Sequence, residues 1–329
     1  MGLFDKFRKK DNVKSIYKKC YEFMEQEEYE NALKYFDMAL ELDPKNNEIV
    51  LFQKGVALEK LGKLEESMKC FDEVLELNET DYDAWDNKGI ILKKLNRYEE
   101  ALECYNNALK LNPEDLLTLN NKGNVLTKFG KFEEALAAFD RALELNPEYV
   151  SAWNNKATTF RKLGKLEDVL SCLEKSLELN PEDADILSDK GLTLQELERD
   201  EEALIAYEMA LEVNNADLKA LNNKSIILRD MEKYEEALEC LDKVLEINSD
   251  DINALGNKGL TFCKMGNFSE ALNCFNRLLK LDPNDRTGWY NKGLTLKELG
   301  MPEEAIKCFD KTLELDPDFE PAKKAVENL

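Results

Sequence analysis

The chain contains no histidine. That absence removes the commonest general base, the usual zinc and copper ligand and every His-containing catalytic triad. Positive charge is also short: 45 Lys and Arg stand against 68 Asp and Glu, a formal net charge of −23. Such a surface repels phosphate backbones and anionic lipid, so nucleic acid is set aside as a partner and a membrane face is disfavoured. No apolar run approaches the roughly 18 residues of a membrane span, and no charged-then-apolar leader precedes a cleavage site. The expectation is a cytoplasmic protein.

Eight cysteines could be read as a disulfide framework, but six of them fall in register: Cys70, Cys104, Cys172, Cys240, Cys274 and Cys308. Equivalent positions of stacked helical units lie about 8–10 Å apart. A disulfide needs Cα atoms within about 7 Å. These cysteines are therefore expected to be small core residues in a reducing compartment.

The register comes from a stretch that returns every 34 residues. Asp83 to Gly89 reads DAWDNKG, Leu117 to Gly123 LTLNNKG, Ser151 to Ala157 SAWNNKA and Thr287 to Gly293 TGWYNKG. Nine units follow: 13–47 (with one extra residue after Pro44), 48–81, 82–115, 116–149, 150–183, 184–217, 218–251, 252–285 and 286–319. Each holds two blocks of apolar residues at helical spacing. In the third, Trp85, Ile91, Leu92 and Leu95 mark helix A, while Leu102, Tyr105, Leu109 and Leu111 mark helix B.

Punctuation is as regular. Gly62, Gly130, Gly164, Gly266 and Gly300 end helix A, with Asn96 in their place in the third unit. Pro44, Pro113, Pro147, Pro181, Pro283 and Pro317 stop helix B. The eighth position of every unit is small: Cys20, Ala157 and Ser225 beside six glycines. That pattern predicts a close approach of the helix B backbone to helix A.

These residues resemble the tetratricopeptide repeat family, here as a stand-alone member of prokaryotic type. The family pattern runs through the fourth unit as Leu119, Gly123, Leu126, Ala135, Phe139, Ala142 and Pro147. The resemblance extends from residue 13 to 319. It implies an all-α solenoid of antiparallel helix pairs in a right-handed superhelix, with A helices on the concave side. Residues 320–329 are expected to cap the last repeat, Ala322, Val326 and Leu329 lying at helical spacing. Residues 1–12 form an extension with Leu3, Phe4 and Phe7 on one side and Lys6, Arg8, Lys9 and Lys10 around it. That extension is either a cap packed on the first repeat or a weak basic amphipathic anchor.

Only residues 1–12 and 320–329 fall outside the repeats, which leaves no room for a catalytic domain. No enzyme activity, metal or cofactor is expected. The paired Glu99-Glu100, Glu133-Glu134, Glu201-Glu202 and Glu235-Glu236 begin B helices, where negative charge complements the helix dipole. A protein-binding scaffold or adaptor remains.

Its candidate residues sit at position 6 of the third to ninth units: Asn87, Asn121, Asn155, Asp189, Asn223, Asn257 and Asn291. Asparagine is a mediocre helix former, and its carboxamide can pair with both N–H and C=O of an extended peptide. The row is similar to the asparagine ladder of tetratricopeptide grooves, although such residues can equally join neighbouring repeats.

Lys93, Lys94, Lys128, Arg161 and Lys162 outnumber Asp83 and Asp86 in repeats three to five, which suggests a somewhat acidic partner segment there. The carboxylate clamp for chaperone C-termini is not met. Asn124 and Asn155 supply its middle, but Asn120 replaces a required Lys and Asp185 and Asp189 occupy the last two places.

Position 7 is Lys in all nine units, from Lys19 to Lys292. Its stems are expected to pack between helices and its ammonium groups to reach carboxylates of adjacent helices. An alternative role is a self-assembling scaffold stacked through its terminal repeats, and a further one is a membrane-recruited assembly factor using the basic tip. The expected oligomeric state is monomer or weak self-association.

Overall fold

A computed structural model describes residues 3–42 and 48–327, with side chains from residue 14 onward. Pro44, Leu329 and the side chains of Leu3, Phe4, Phe7 and the neighbouring basic residues lie outside the described residues. Every regular element among those described is an α-helix.

The chain divides into two units. Unit 1, Met1–Lys165, holds α1 (Leu3–Glu25), α2 (Tyr29–Leu42), α3 (Glu48–Lys60), α4 (Leu64–Leu77), α5 (Tyr82–Lys94), α6 (Tyr98–Leu111), α7 (Leu116–Lys128), α8 (Phe132–Leu145) and α9 (Val150–Lys162). Unit 2, Leu166–Leu329, holds α10 (Leu166–Leu179), α11 (Ala184–Glu196), α12 (Asp200–Val213), α13 (Leu218–Asp230), α14 (Tyr234–Ile247), α15 (Ile252–Lys264), α16 (Phe268–Leu281), α17 (Arg286–Glu298), α18 (Pro302–Leu315) and α19 (Glu320–Glu327). Within each unit every helix packs on its sequence neighbours, and alternate helices such as α5 and α7, or α13 and α15, also touch.

Local chemistry fixes where these helices begin. Asp81, Asp115, Asp183, Asp217, Asp251 and Asp285 precede helices and accept a backbone N–H from the first turn, as Asp115 does from Thr118 at 2.8 Å. Each such cap contributes about 1 kcal/mol. Trp85, Trp153 and Trp289 tie the same turns down, their indole N–H groups donating to the carbonyls of Glu79, Pro147 and Pro283.

The chain reverses after α7 through Gly130 at φ +79, with Lys131 N–H bonded to the Leu126 carbonyl at 2.9 Å. Asn96 does the same work at φ +59. In three other turns a glutamate is left-handed: Glu27, Glu198 and Glu232.

The small residue at position 8 has a different cause from the one expected. A Cβ on Gly123 would sit 2.5 Å from the Phe139 ring, and one on Gly89 or Gly191 would sit 2.6 Å from Tyr105 or Tyr207. The helix A glycine therefore accommodates an aromatic side chain of helix B, not its backbone. Tyr105, Phe139, Tyr207, Phe275 and Phe309 are fully buried there, beside fully buried alanines such as Ala135 and Ala271.

The cysteines are all free, and all but the half-buried Cys263 are buried. Burial pushes the thiols of Cys20, Cys70 and Cys104 up to about 11. Such thiols are weak nucleophiles at neutral pH.

Six of the position-7 lysines join one repeat to the one before it. Lys54 reaches Asp37 at 2.7 Å, Lys88 Asp72 at 2.5 Å, Lys156 Asp140 at 2.6 Å, Lys190 Glu174 at 3.0 Å and Lys224 Glu208 at 2.9 Å, and Lys258 pairs with Asp242. The partner is always the residue after the buried position-24 side chain. Where that residue is Asn106 or Asn276, the facing Lys122 or Lys292 has no carboxylate partner among the described residues. Lys292 lies over the Trp289 ring instead, 5.1 Å from its centroid. Lys19, with no repeat before it, sits over Tyr35.

α19 closes unit 2. Ala322 and Ala325 are buried against the cluster of Leu296, Cys308 and Phe309, with Val326 partly buried beside them.

Candidate functional site

In unit 1 the position-6 asparagines are engaged by the protein itself. Asn87 donates to the Asp83 carbonyl of its own helix at 2.9 Å. Asn121 accepts from Lys93 Nζ at 3.2 Å, and its carboxamide favours the charged form of the nearby Asp86. Asn155 donates to Asn120 Oδ1 at 2.9 Å, which ties α9 to α7.

Asp86 is buried and accepts a 2.9 Å bond from the Thr118 hydroxyl. Burial raises its pKa, and the Thr118 bond opposes that shift. Burial lowers the pKa of Lys93, which Asp86 counteracts. Asp86, Thr118, Asn121 and Lys93 thus form a polar junction between α5 and α7. Buried polar groups of this kind must satisfy one another, because each left unpaired costs about 1–3 kcal/mol.

The basic residues of the same face are partly consumed too. Lys94 pairs with Glu59. Lys128 and Lys162 are exposed, Asn124 is half-buried, and Arg161 is half-buried and partnered. The excess of positive charge expected over repeats three to five is therefore smaller than the sequence count.

Unit 2 differs. Asp189 is held by Lys219. The carboxamides of Asn223, Asn257 and Asn291 make no hydrogen bond among the described residues, although the backbone carbonyls of Asn257 and Asn291 accept from the Thr261 and Thr295 hydroxyls at 2.8 and 2.7 Å.

Two adjoining cavities open beside these amides. One of about 540 Å³ is lined by Leu218, Lys219, Asn222, Asn223, Ile226, Asp251, Asn253 and Asn257. The other, of about 180 Å³, shares Asn253 and Asn257 and reaches Leu260, Thr287 and Asn291. Gly256 and Gly288 also line it, and a Cβ on either would meet the Leu278 side chain, at 3.3 and 2.7 Å. Asn222 Oδ1 is buried on this wall without a partner. The bond that Asn155 makes to Asn120 has its counterpart positions in Asn257 and Asn222, where it is not made.

The arrangement offers donors and acceptors along a shallow, partly apolar surface. Asn222 and Asn253 belong to it and were missed from sequence, where only position 6 was singled out. Both could have been found by noting that repeats seven and eight carry asparagine at neighbouring concave positions. Among the described residues no helix is long and apolar enough to cross a membrane.

Residues 17–134 match the family model for the Psidin N-terminal TPR repeats region. Residues 114–182, 154–217, 217–284 and 287–319 match models of the tetratricopeptide repeat. No match was found among curated proteins.

Among solved structures, a tetratricopeptide repeat protein from Parabacteroides merdae is 20% identical, with 75% of this chain and 97% of that one covered and a TM-score of 0.58. PilW, a widely conserved type IV pilus biogenesis factor, is 18% identical over 64% of this chain and 98% of its own, with a TM-score of 0.58. The APC/C hetero-tetramer Cut9-Hcn1 is 14% identical over 96% of this chain and 76% of that one, with a TM-score of 0.56. At these identities the likeness is one of fold.

Proposed function

The chain belongs to the tetratricopeptide repeat family of protein–protein interaction scaffolds, and we propose that it holds an extended segment of a partner protein against Asn223, Asn257 and Asn291. The observation that carries this reading is the contrast between the two units. Carboxamides at one repeat position are satisfied internally in α5, α7 and α9 but left without partners in α13, α15 and α17, where they face open cavities.

Successive rungs about 8–10 Å apart meet an extended chain of about 3.3 Å per residue, so each rung serves about three ligand residues. Three rungs engage a segment of about six to nine residues. A carboxamide pairs with main-chain N–H and C=O, so the contact reads backbone before side chain.

The walls are amide and apolar apart from Lys219, which is already matched by Asp189, and the helix-capping carboxylates of Asp251 and Asp285. An acidic segment would meet those two carboxylates, so the segment carries no net negative charge and the acidic preference drawn from repeats three to five is not retained. The role is that of a non-catalytic scaffold.

Selection of random displayed peptides on the immobilised full chain tests the main-chain part of this reading. Selected peptides should weaken at least tenfold on N-methylation of the backbone amides that face the three rungs. Peptides indifferent to N-methylation at every position would sink it.

A further inference from the structure

α12 differs from the other B helices on its outward side. Ile205, Met209 and Val213 stand four residues apart and form one row, exposed at 57, 45 and 45%. At the place of Ile205 other repeats carry Lys69, Glu103, Ala137, Asn273 and Lys307, and at that of Met209 they carry Arg141, Lys175, Lys243, Arg277 and Lys311. α2 has the exposed Met38 at the second place but Lys34 at the first, so α12 alone has a large apolar residue at both.

The row borders a cavity of about 250 Å³ walled by Leu177, Pro181, Leu187, Leu194 and Ala206, together with Lys190 and Glu202, which are held in ion pairs by Glu174 and Arg199. Two substitutions against the repeat pattern, in adjoining turns and beside an apolar hollow, mark a docking face and not a stray exposed side chain. Carboxylates frame it. Glu201 continues the row by one turn and Glu212 flanks it, both exposed, while Glu208 beside them is already paired with Lys224.

An occupant of matching chemistry exists in the same sequence. α1 runs Leu3–Glu25, whereas the A helices of later repeats have 13 residues, so about ten residues of helix extend ahead of the first repeat. This extension, LFDKFRKKDN, carries Leu3, Phe4 and Phe7 at helical spacing together with Lys6, Arg8, Lys9 and Lys10, in a chain whose net charge is −23.

We propose that the N-terminal extension of one copy docks on the α12 face of a second copy, its aromatic side against Ile205, Met209 and the hollow and its basic side against Glu201 and Glu212. The contact uses different surfaces on the two partners. It is heterologous and adds copies head to tail unless the ring closes. It is independent of the asparagine-lined cavities, which lie on other helices.

Complementation between two variants of the full chain tests it. F4S/F7S removes the plug and I205K/M209K the socket, the latter installing residues that other repeats carry at the same places. Sedimentation equilibrium should show the weight-average mass of the wild type rising with concentration and each variant alone staying at the monomer mass. An equimolar mixture of the two should approach twice that mass, because each supplies what the other lacks. Raising salt from 50 to 500 mM should weaken the mixed dimer severalfold.

Circular dichroism of each variant separates loss of contact from loss of fold. Three results overturn the proposal: a wild type that stays monomeric throughout, association that persists in I205K/M209K, or a mixture that stays at the monomer mass. A fluorescent peptide of residues 1–12 that binds the F4S/F7S chain while the wild type stays monomeric would place the plug on its own chain, and the second copy would be excluded.

Discussion

Asn155 Nδ2 donates to Asn120 Oδ1 at 2.9 Å, whereas Asn257 and Asn222, the pair at the same repeat positions in unit 2, are not bonded and Asn222 Oδ1 is buried without a partner. One repeat position thus serves two ends. At Asn121 and Asn155 it joins consecutive A helices, and at Asn223, Asn257 and Asn291 it presents amides to open space. Replacing Asn155 with Ala leaves Asn120 Oδ1 buried and unpaired, so hydrogen exchange in α7 and α9 should accelerate as about 1–3 kcal/mol of local stability is lost. N257A removes no internal bond, and exchange in α13 and α15 should change by less than about 0.5 kcal/mol.

Gly123 and Phe139 set a second expectation. G123A gains about 1 kcal/mol of helix propensity but drives a Cβ to 2.5 Å from the ring, an overpacking that costs about 1–3 kcal/mol. The substitution should lower protection in α7 and α8, and F139L added to it should recover part of the loss. Two repeats carry the same exchange, Ala157 and Ser225 standing with Leu173 and Leu241 in place of the ring, whereas the first repeat keeps Phe36 beside Cys20. A double-mutant cycle with no coupling would contradict it.

Lys122 tests the ladder of inter-repeat ion pairs. Burial holds its pKa below the ordinary lysine value, and Asn106 stands where other repeats supply a carboxylate. With the folded pKa depressed, the charged lysine costs stability below that pKa, and the cost fades as pH rises towards the unfolded value of about 10.4. N106D should stabilise by about 0.2–1 kcal/mol at pH 7 and remove the alkaline gain. Thermal midpoints at pH 7 and pH 10 check both signs.

Much of this ladder was legible in sequence, because its donor recurs at one position and its acceptor at another, and each departure names the unpaired lysine. The position-8 glycines were legible as a close approach, but not as the seat of a ring. Backbone spacing alone does not say whether a main chain or an aromatic side chain fills the gap.

The division among the asparagines could not be read from position 6. Asn121 is occupied because Asp86 and Lys93 lie on the A helix of the repeat before it, and Asn155 because Asn120 does. Those neighbours are about 28–35 residues away and come together only in the folded stack. The Asp caps were overlooked although their signal was plain, an aspartate directly before six of the A helices.

Glu232 sits at φ +62 between α13 and α14, in the backbone conformation that five glycines supply elsewhere. A left-handed non-glycine residue costs about 1–2 kcal/mol, offset in part by the greater freedom a glycine has in the unfolded chain. E232G should therefore stabilise unit 2 by about 0.5 kcal/mol, read as a higher urea midpoint. A lower midpoint would show that the glutamate side chain contributes more than its backbone costs.

The measurement that bears most directly on the central claim is the affinity of one selected peptide for three chains, by isothermal titration. These are the wild type, N223A/N257A/N291A in unit 2 and N87A/N121A/N155A in unit 1, each checked for retained helicity. Hydrogen bonds net about 0.5–1.5 kcal/mol each, so losing three should weaken binding by about 10- to 1,000-fold. The account predicts that loss for the unit 2 variant and a change of less than threefold for the unit 1 variant. Equal affinity of the unit 2 variant and the wild type, or a loss confined to the unit 1 variant, would contradict it.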